Sequence, residues 1–233
     1  MRVYGKNVAK EMIEKENIEK AYISKNFNDQ NIINSLKEKN IPIRFLDKNI
    51  INNMEKGNHQ GIILEINDYD YSSLDEIEKE DVIIMLDHLE DPHNFGAIIR
   101  TVEAAGFKSI IIPKDRSVEV TPTVVKTSAG TTKNVKIAKV NNLVNTIKEL
   151  KQKGYWVIGT DMNGEEYRKI DYTGKIVIVI GNEGKGMGRL VKENCDFIAS
   201  IPMNGTVNSL NASVAAALII YERVNANVWR YKR

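Results

Sequence analysis

Cysteine is almost absent: Cys195 stands alone among 233 residues, which excludes an internal disulfide and any cysteine-rich zinc site. The three histidines, His59, His88 and His93, have no metal-ligand spacing, so no metal is expected. Long apolar runs are missing as well. The longest, Ala212 to Tyr221, is broken by Ser213 and falls well short of the roughly 18–20 residues that span a bilayer. Residues 1–6 lack the apolar stretch of a secretory signal, and the two glycosylation-like triplets at Asn204 and Asn211 lose their meaning with it. A soluble, cytoplasmic protein with no membrane partner is the expectation. Internal repeats, low-complexity segments and a nucleophile elbow of the Gly-x-Ser-x-Gly type are also lacking.

What is present is ordinary in bulk and uneven in detail. Hydrophobic residues make up 42% and charged residues 27%, which suits a folded chain with a sizeable core. The net charge of +2 hides an asymmetry: residues 1–80 hold 12 basic and 15 acidic side chains, and residues 81–233 hold 21 and 16. A mildly basic second part suits a polyanionic partner, although solvated lysines on helix faces account for many such excesses.

The periodicity predicts an α/β protein. In the first part, 6–16 reads as an amphipathic helix and 20–24 as a strand. Asp29 caps a helix with Ile32, Ile33 and Leu36 on its apolar stripe. Pro42 opens a strand, Asp47 caps a helix ended by Gly57, and 61–66 is a further strand. Residues 67–81 break the pattern, with a capping-box signature at Ser73–Glu76. The expected layout is therefore a small α/β domain over 1–67, a linker over 68–80 and a larger domain over 81–233. In that larger domain strands at 82–86, 109–112, 135–140, 155–160, 175–180 and 196–201 alternate with helices, among them 92–105, 142–153 and 209–225. Such alternation implies crossover connections and a mostly parallel sheet.

Three segments carry polar residues and glycines that a plain scaffold does not need: 86–100, 180–188 and 201–213. Each follows a predicted strand, at the edge where open α/β sheets bind ligands. In the first, Asn94 and Arg100 are expected on roughly one side of a helix, unless Asn94 is a capping group and Arg100 a solvated arginine. The glycines of the second fail as a phosphate loop, because Gly186 is followed by Met187 and Gly188 where a lysine-serine pair is needed. The third places Asn208, Ser209 and Asn211 at a helix N-terminus, with Ser209 as its expected cap.

Taken together these segments resemble the SpoU (TrmH-type) family of RNA ribose 2′-O-methyltransferases in the SPOUT superfamily. The family's Asp-Pro-x-Asn-x-Gly-Ala-x-x-Arg is matched by Asp91-Pro92-His93-Asn94-Phe95-Gly96-Ala97-Ile98-Ile99-Arg100. Its Gly-x-Glu-x-x-Gly is matched by Gly181-Asn182-Glu183-Gly184-Lys185-Gly186, and its Ile-Pro-Met motif by residues 201–215. Gly5-Lys6-Asn7-Val8 and His59-Gln60-Gly61-Ile62 look like the ribosomal-protein-like RNA substrate-binding domain of the RlmB-type enzymes, which act on a guanosine of 23S ribosomal RNA. The resemblance implies S-adenosyl-L-methionine as methyl donor, a trefoil knot in the second domain, and a homodimer built on the last helix. It implies cofactor contacts at Gly181, Ile201, Met203, Gly205 and Leu210, and catalytic roles for Arg100, Asn94, Glu183, Ser209 and Asn211. The same motifs fit a transfer RNA guanosine or a ribosomal adenosine as target, and the scaffold also fits a non-catalytic RNA-binding ribosome-assembly factor. No DNA partner is expected.

Overall fold

The computed structural model describes residues 1–15 and 18–230, with the backbone alone for residue 15 and for 227–230. The chain opens with β1 (Arg2–Tyr4), α1 (Lys6–Lys15), β2 (Ile18–Ser24), α2 (Gln30–Glu38), β3 (Ile43–Leu46), α3 (Lys48–Met54) and β4 (Ile62–Ile66). It continues through α4 (Leu74–Ile77), β5 (Val82–Leu86), α5 (Pro92–Ala104), β6 (Ser109–Pro113), α6 (Pro122–Thr127), β7 (Lys136–Val140) and α7 (Leu143–Gln152). It ends with β8 (Trp156–Glu166), β9 (Ile176–Ile180), α8 (Arg189–Glu193), β10 (Phe197–Ser200) and α9 (Ala212–Arg230). Glu16, which the periodicity places in the first helix, lies outside the described residues.

Two compact units interleave along the chain: residues 1–70 with 120–133, and residues 71–119 with 134–233. The first holds a four-stranded sheet in the order β1-β4-β2-β3. There β4 runs antiparallel to both neighbours and β2 parallel to β3. Helix α1 buries Val8, Met12 and Ile13, and α2 buries Ile32, Ile33 and Leu36, the spacing that a 3.6-residue turn demands of one buried face. The Asp29 carboxylate accepts the Ile32 N–H as predicted. Asp47 departs from expectation. Its side chain makes no cap bond and pairs instead with the Lys25 ammonium at 2.9 Å. Gly57 does not end α3 either, which stops at Met54. Gly57 is required for space: a Cβ there would lie 2.4 Å from the Tyr4 hydroxyl.

The second unit is a six-stranded sheet in the order β10-β8-β9-β5-β6-β7, parallel at every pairing. Strands β5 and β9 are buried along their whole length, the state of a strand covered on both faces, and their unbroken apolar runs follow from it. Burying each such side chain contributes about 1.5–3 kcal/mol. Leu86 and Ile180 are in register, so the segments that leave β5 and β9 start side by side. In the linker, Glu76 accepts the Ser73 N–H as a capping box requires.

Two elements differ from the sequence reading in ways that matter for function. Strand β8 does not end at Thr160 but continues to Glu166, and its pairing with β10 jumps from Gly159 to Glu165. The residues between leave the ladder as an excursion. The last helix starts at Ala212 rather than Ser209, because Asn211 provides the cap: its side-chain oxygen accepts the Ser213 N–H and its carbonyl accepts that of Ala215.

Candidate active site

Three loops follow the carboxyl ends of β5, β9 and β10, and buried polar groups hold them. Asp87, 2% exposed, takes one step past β5. One carboxylate oxygen accepts the Gly188 N–H at 2.6 Å and the other lies 2.6 Å from His88 Nδ1, so it links the first loop to the far end of the second. His88 has a left-handed backbone (φ 56°), which turns its carbonyl toward the Asn182 side-chain amide at 2.7 Å. Asn182 also accepts the Gly184 and Lys185 N–H groups and bridges Gly186 through the backbone in both directions. The glycine-rich loop is thus a closed hairpin rather than an open phosphate cradle. Gly181 is glycine for space, since a Cβ would meet the Gly186 carbonyl carbon at 2.5 Å.

A single line of hydrogen bonds crosses all three loops. The Asn94 amide donates to Glu183 Oε1 at 2.8 Å, the Asn211 amide donates to Asn94 Oδ1 at 2.9 Å, and the Ser213 N–H and hydroxyl donate to Asn211 Oδ1. Its two ends settle every amide orientation. An ionised carboxylate only accepts and a backbone N–H only donates, so each asparagine between them has one possible assignment. Asn94 is 6% exposed, and an unpaired amide at that depth would be costly.

Beside this line lies a cavity of about 310 Å³, within the range of small-molecule sites. Ile180, Ile201, Met203, Leu210 and Ile219 form apolar wall, and Gly181 brings main chain to the surface. Glu183, Asn208 and Ser209 add polar groups. Three further lining residues, Thr160, Asp161 and Met162, come from the β8 excursion and were not foreseen. The only sequence signal for them is the polar, glycine-containing run Asp161-Met162-Asn163-Gly164 inside an apolar strand pattern. Burial pushes the Asp161 carboxyl up, but the Asn163 N–H bond and the Lys192 ammonium at 2.9 Å outweigh it and hold the group below its ordinary range.

The structure therefore brings together Asn94, Glu183, Ser209 and Asn211 with Gly181, Ile201, Met203 and Leu210. It does not bring in two others. Gly205 is exposed and lines no part of the cavity. Arg100 is exposed too, and makes no hydrogen bond or ion pair with a described residue. The expectation that Asn94 and Arg100 share one side of α5 fails on helical geometry: six residues at ~100° each leave them about 120° apart, one buried and one solvated. Asp91, not Asn94, caps α5 by accepting the His93 N–H at 2.9 Å.

A profile of the SpoU rRNA Methylase family matches residues 81–221, three fifths of the chain and every residue of the line just described. The chain belongs to the SpoU methylase family. A second profile, described as RNA 2′-O ribose methyltransferase substrate binding, matches residues 2–72. YacO of Bacillus subtilis (strain 168), assigned to the TrmH family of tRNA/rRNA methyltransferases, is 44% identical over 201 residues, 83% of this chain and 81% of its own. The fold is that of the SpoU methyltransferase AviRb from Streptomyces viridochromogenes, crystallised with S-adenosylmethionine: TM-score 0.81 at 22% identity, over 98% of this chain and 91% of that one. An S-adenosylmethionine-bound rRNA methyltransferase from Sinorhizobium meliloti aligns with TM-score 0.77 at 24% identity, covering 96% and 86%. Within the SpoU methylase family frame, the hydrogen-bonded line is the physical link between the three motifs, which lie up to 117 residues apart in sequence.

Proposed function

We propose that this protein transfers the methyl group of S-adenosylmethionine to a ribose 2′-oxygen of RNA, with a guanosine of 23S ribosomal RNA as target. The observation that carries this reading is the Glu183–Asn94–Asn211 line, which ties three motif loops around one cavity. The residues present suit the methyl donor. Ile201, Leu210 and Ile219 offer apolar surface for a purine, main chain at Gly181 and Ile201 offers polar groups, and the Glu183 and Asp161 carboxylates suit a cationic sulfur. When bound, the donor supplies a methyl carbon on an already activated leaving group.

The chain's own task is then to place one hydroxyl oxygen and manage its proton. Asn94 holds the Glu183 carboxylate in one orientation, and Asn211 holds Asn94. Ser209 lines the cavity and completes its polar wall. Arg100, solvated and without a partner among the described residues, is available to RNA. A guanidinium is almost permanently protonated, so Arg100 acts by gripping the hydroxyl and the adjacent phosphate and by stabilising developing negative charge, and a phosphate oxygen or water takes the proton.

The working form is a homodimer. Helix α9 keeps Val214, Leu218 and Tyr221 exposed along one face, an apolar stripe at helical spacing that a second copy would cover. The knotted chain path and a cytoplasmic location belong to the same reading. The test is mass-spectrometric mapping of 2′-O-methylribose in ribosomal and transfer RNA from a strain lacking the gene: a lost ribosomal guanosine methylation is expected, and loss at a tRNA or adenosine position replaces the target. With purified protein, Arg100→Ala abolishes transfer while S-adenosylmethionine affinity by calorimetry stays within about threefold. Full turnover by that variant refutes the arginine's role.

A further inference from the structure

The two motifs of the first unit that the methyl-transfer chemistry leaves unused, Gly5-Lys6-Asn7-Val8 and His59-Gln60-Gly61-Ile62, come together in space. The Lys6 N–H donates to Gln60 Oε1 at 2.9 Å, and the Gly5 N–H to the Ile62 carbonyl. They border a second cavity, about 380 Å³, that lies wholly within this unit. Its walls include Lys6, Phe27, Lys48, Asn58, His59 and Gln60, and no lining residue is acidic.

The loop is held open by its backbone. Gln60 and Gly61 both have left-handed conformations (φ 50° and 84°), unusual for the first of them and a strain that the rest of the loop must hold. His59 supplies part of that hold: its Nδ1 accepts the Gly61 N–H at 3.0 Å and its Nε2 faces Asn52 Oδ1 at 2.9 Å. A ring that accepts at Nδ1 carries its proton on Nε2, the tautomer that donates to Asn52 Oδ1. Phe27 sits against Gly61, where a Cβ would come within 3.2 Å of the ring. The Lys6 ammonium covers the ring at 5.1 Å and makes a long hydrogen bond to Asn28 at 3.5 Å. A half-exposed cation on a ring is a weaker contact than a stacked base, and a lysine displaced from the ring can reach a phosphate instead.

We infer that this cavity is a pocket for one unstacked nucleotide of the RNA, its base against Phe27 and the amide-rich wall, its phosphates on Lys6 and Lys48. Amide side chains present both donors and acceptors to a base edge, an aromatic ring accepts its face, and lysines in a wall that holds no carboxylate accept its charge. This rests on the reading of the protein as an RNA-modifying enzyme, and it names where the first unit grips.

The full-length protein is titrated against deproteinised 23S ribosomal RNA and, separately, bulk transfer RNA across a salt series, with methyl transfer measured on the same samples. Phe27→Leu weakens binding about tenfold with an unchanged salt slope, and Phe27→Tyr binds within about twofold of native. The exposed Lys48→Gln leaves the fold untouched and lowers the slope by about 0.7–0.9. Ultraviolet cross-linking followed by peptide mass spectrometry finds a nucleotide adduct at Phe27 or His59. Native affinity and KM in Phe27→Leu, or adducts confined to other peptides on RNA that the protein binds, overturn the pocket and leave the methyltransferase reading intact. An adduct at Phe27 on RNA that is bound but never methylated upholds the pocket and removes that reading.

Discussion

Around the loops after β5, β9 and β10, side chains hold the backbone; around residues 57–61, the backbone holds the side chains. In the first case Asp87, Asn94, Asn182 and Asn211 each bond across loops far apart in sequence, and the glycine at 181 is there for lack of room. In the second, consecutive left-handed residues at 60 and 61 and one histidine within two residues of them set the shape. The difference teaches where each cluster is vulnerable. A network of buried polar groups fails when one member is lost, because its partners stay buried and unpaired. A backbone-shaped loop fails when a side chain is forced into a conformation that only glycine adopts cheaply.

Perturbing both clusters separates the two kinds of support. The largest effect is expected from Gly181→Ala, whose Cβ would meet main chain at 2.5 Å. Neither neighbour is a flexible side chain, so the loss is about 3 kcal/mol by chemical denaturation, and S-adenosylmethionine no longer binds in calorimetry. Asp87→Ala follows, at about 2–3 kcal/mol, with the Gly188 N–H and His88 both left without their carboxylate. A variant that keeps native stability would show that water replaces the carboxylate and that the loops need no staple.

Asn94 offers a sharper cut. Asn94→Asp sets two carboxylates against each other at the Glu183 contact, so it should cost more than Asn94→Ala, itself about 1–2 kcal/mol. The reverse order would mean that the amide orientation deduced from the hydrogen-bond line is wrong. On the other side of the comparison, Gly61→Ala demands a left-handed alanine at φ 84° beside Phe27. The expected cost is about 1–2 kcal/mol, with binding of the methyl donor unchanged because the cavity proposed for it lies in the other unit.

The smallest effect is silent at neutral pH. Burial pushes the Cys195 thiol up to about 12 from 9.0. An unfolded chain loses that proton near pH 9 and the folded one keeps it, so the folded state binds more protons in that window. Stability contributed by the neutral thiol is complete below pH 9 and declines as pH rises toward 12. Denaturation midpoints in the Cys195→Ala variant should fall less steeply over that range. Iodoacetamide at pH 8 should label the native protein much more slowly than the unfolded chain, because so little of the half-buried thiol is ionised.

Much of the scaffold was legible in the chain. Strands β5 and β9 are uninterrupted apolar runs and appear where the runs lie, because a strand covered on both faces has no polar side to show. Helix α7 was readable from Asn142, whose side chain accepts the Asn145 N–H. The three polar loops were legible for the opposite reason: asparagines, glycines and a glutamate interrupt a pattern that needs none of them. What escaped notice was short or irregular. Strand β1 has three residues and α8 five, too few for a period to register, and α6 lies in the 120–133 stretch, which belongs to the first unit although it interrupts the second in sequence. The β8 excursion and its Thr160, Asp161 and Met162 escaped because a departure from a ladder is set by the partner strand, here the main chain of Ile198 beside Gly164.

The amino-acid order by itself determined the alternation of strands and helices, the buried runs and the identity of the three motif loops, all of which depend on neighbours within a few turns of chain. The tertiary structure alone decided that Asn94 faces inward to Glu183 and Asn211 while Arg100 faces water, and that an excursion of β8 supplies a wall of the cavity. A hydrogen bond across 117 residues has no local signature, since its geometry comes from the register of whole strands and not from the residues that make it.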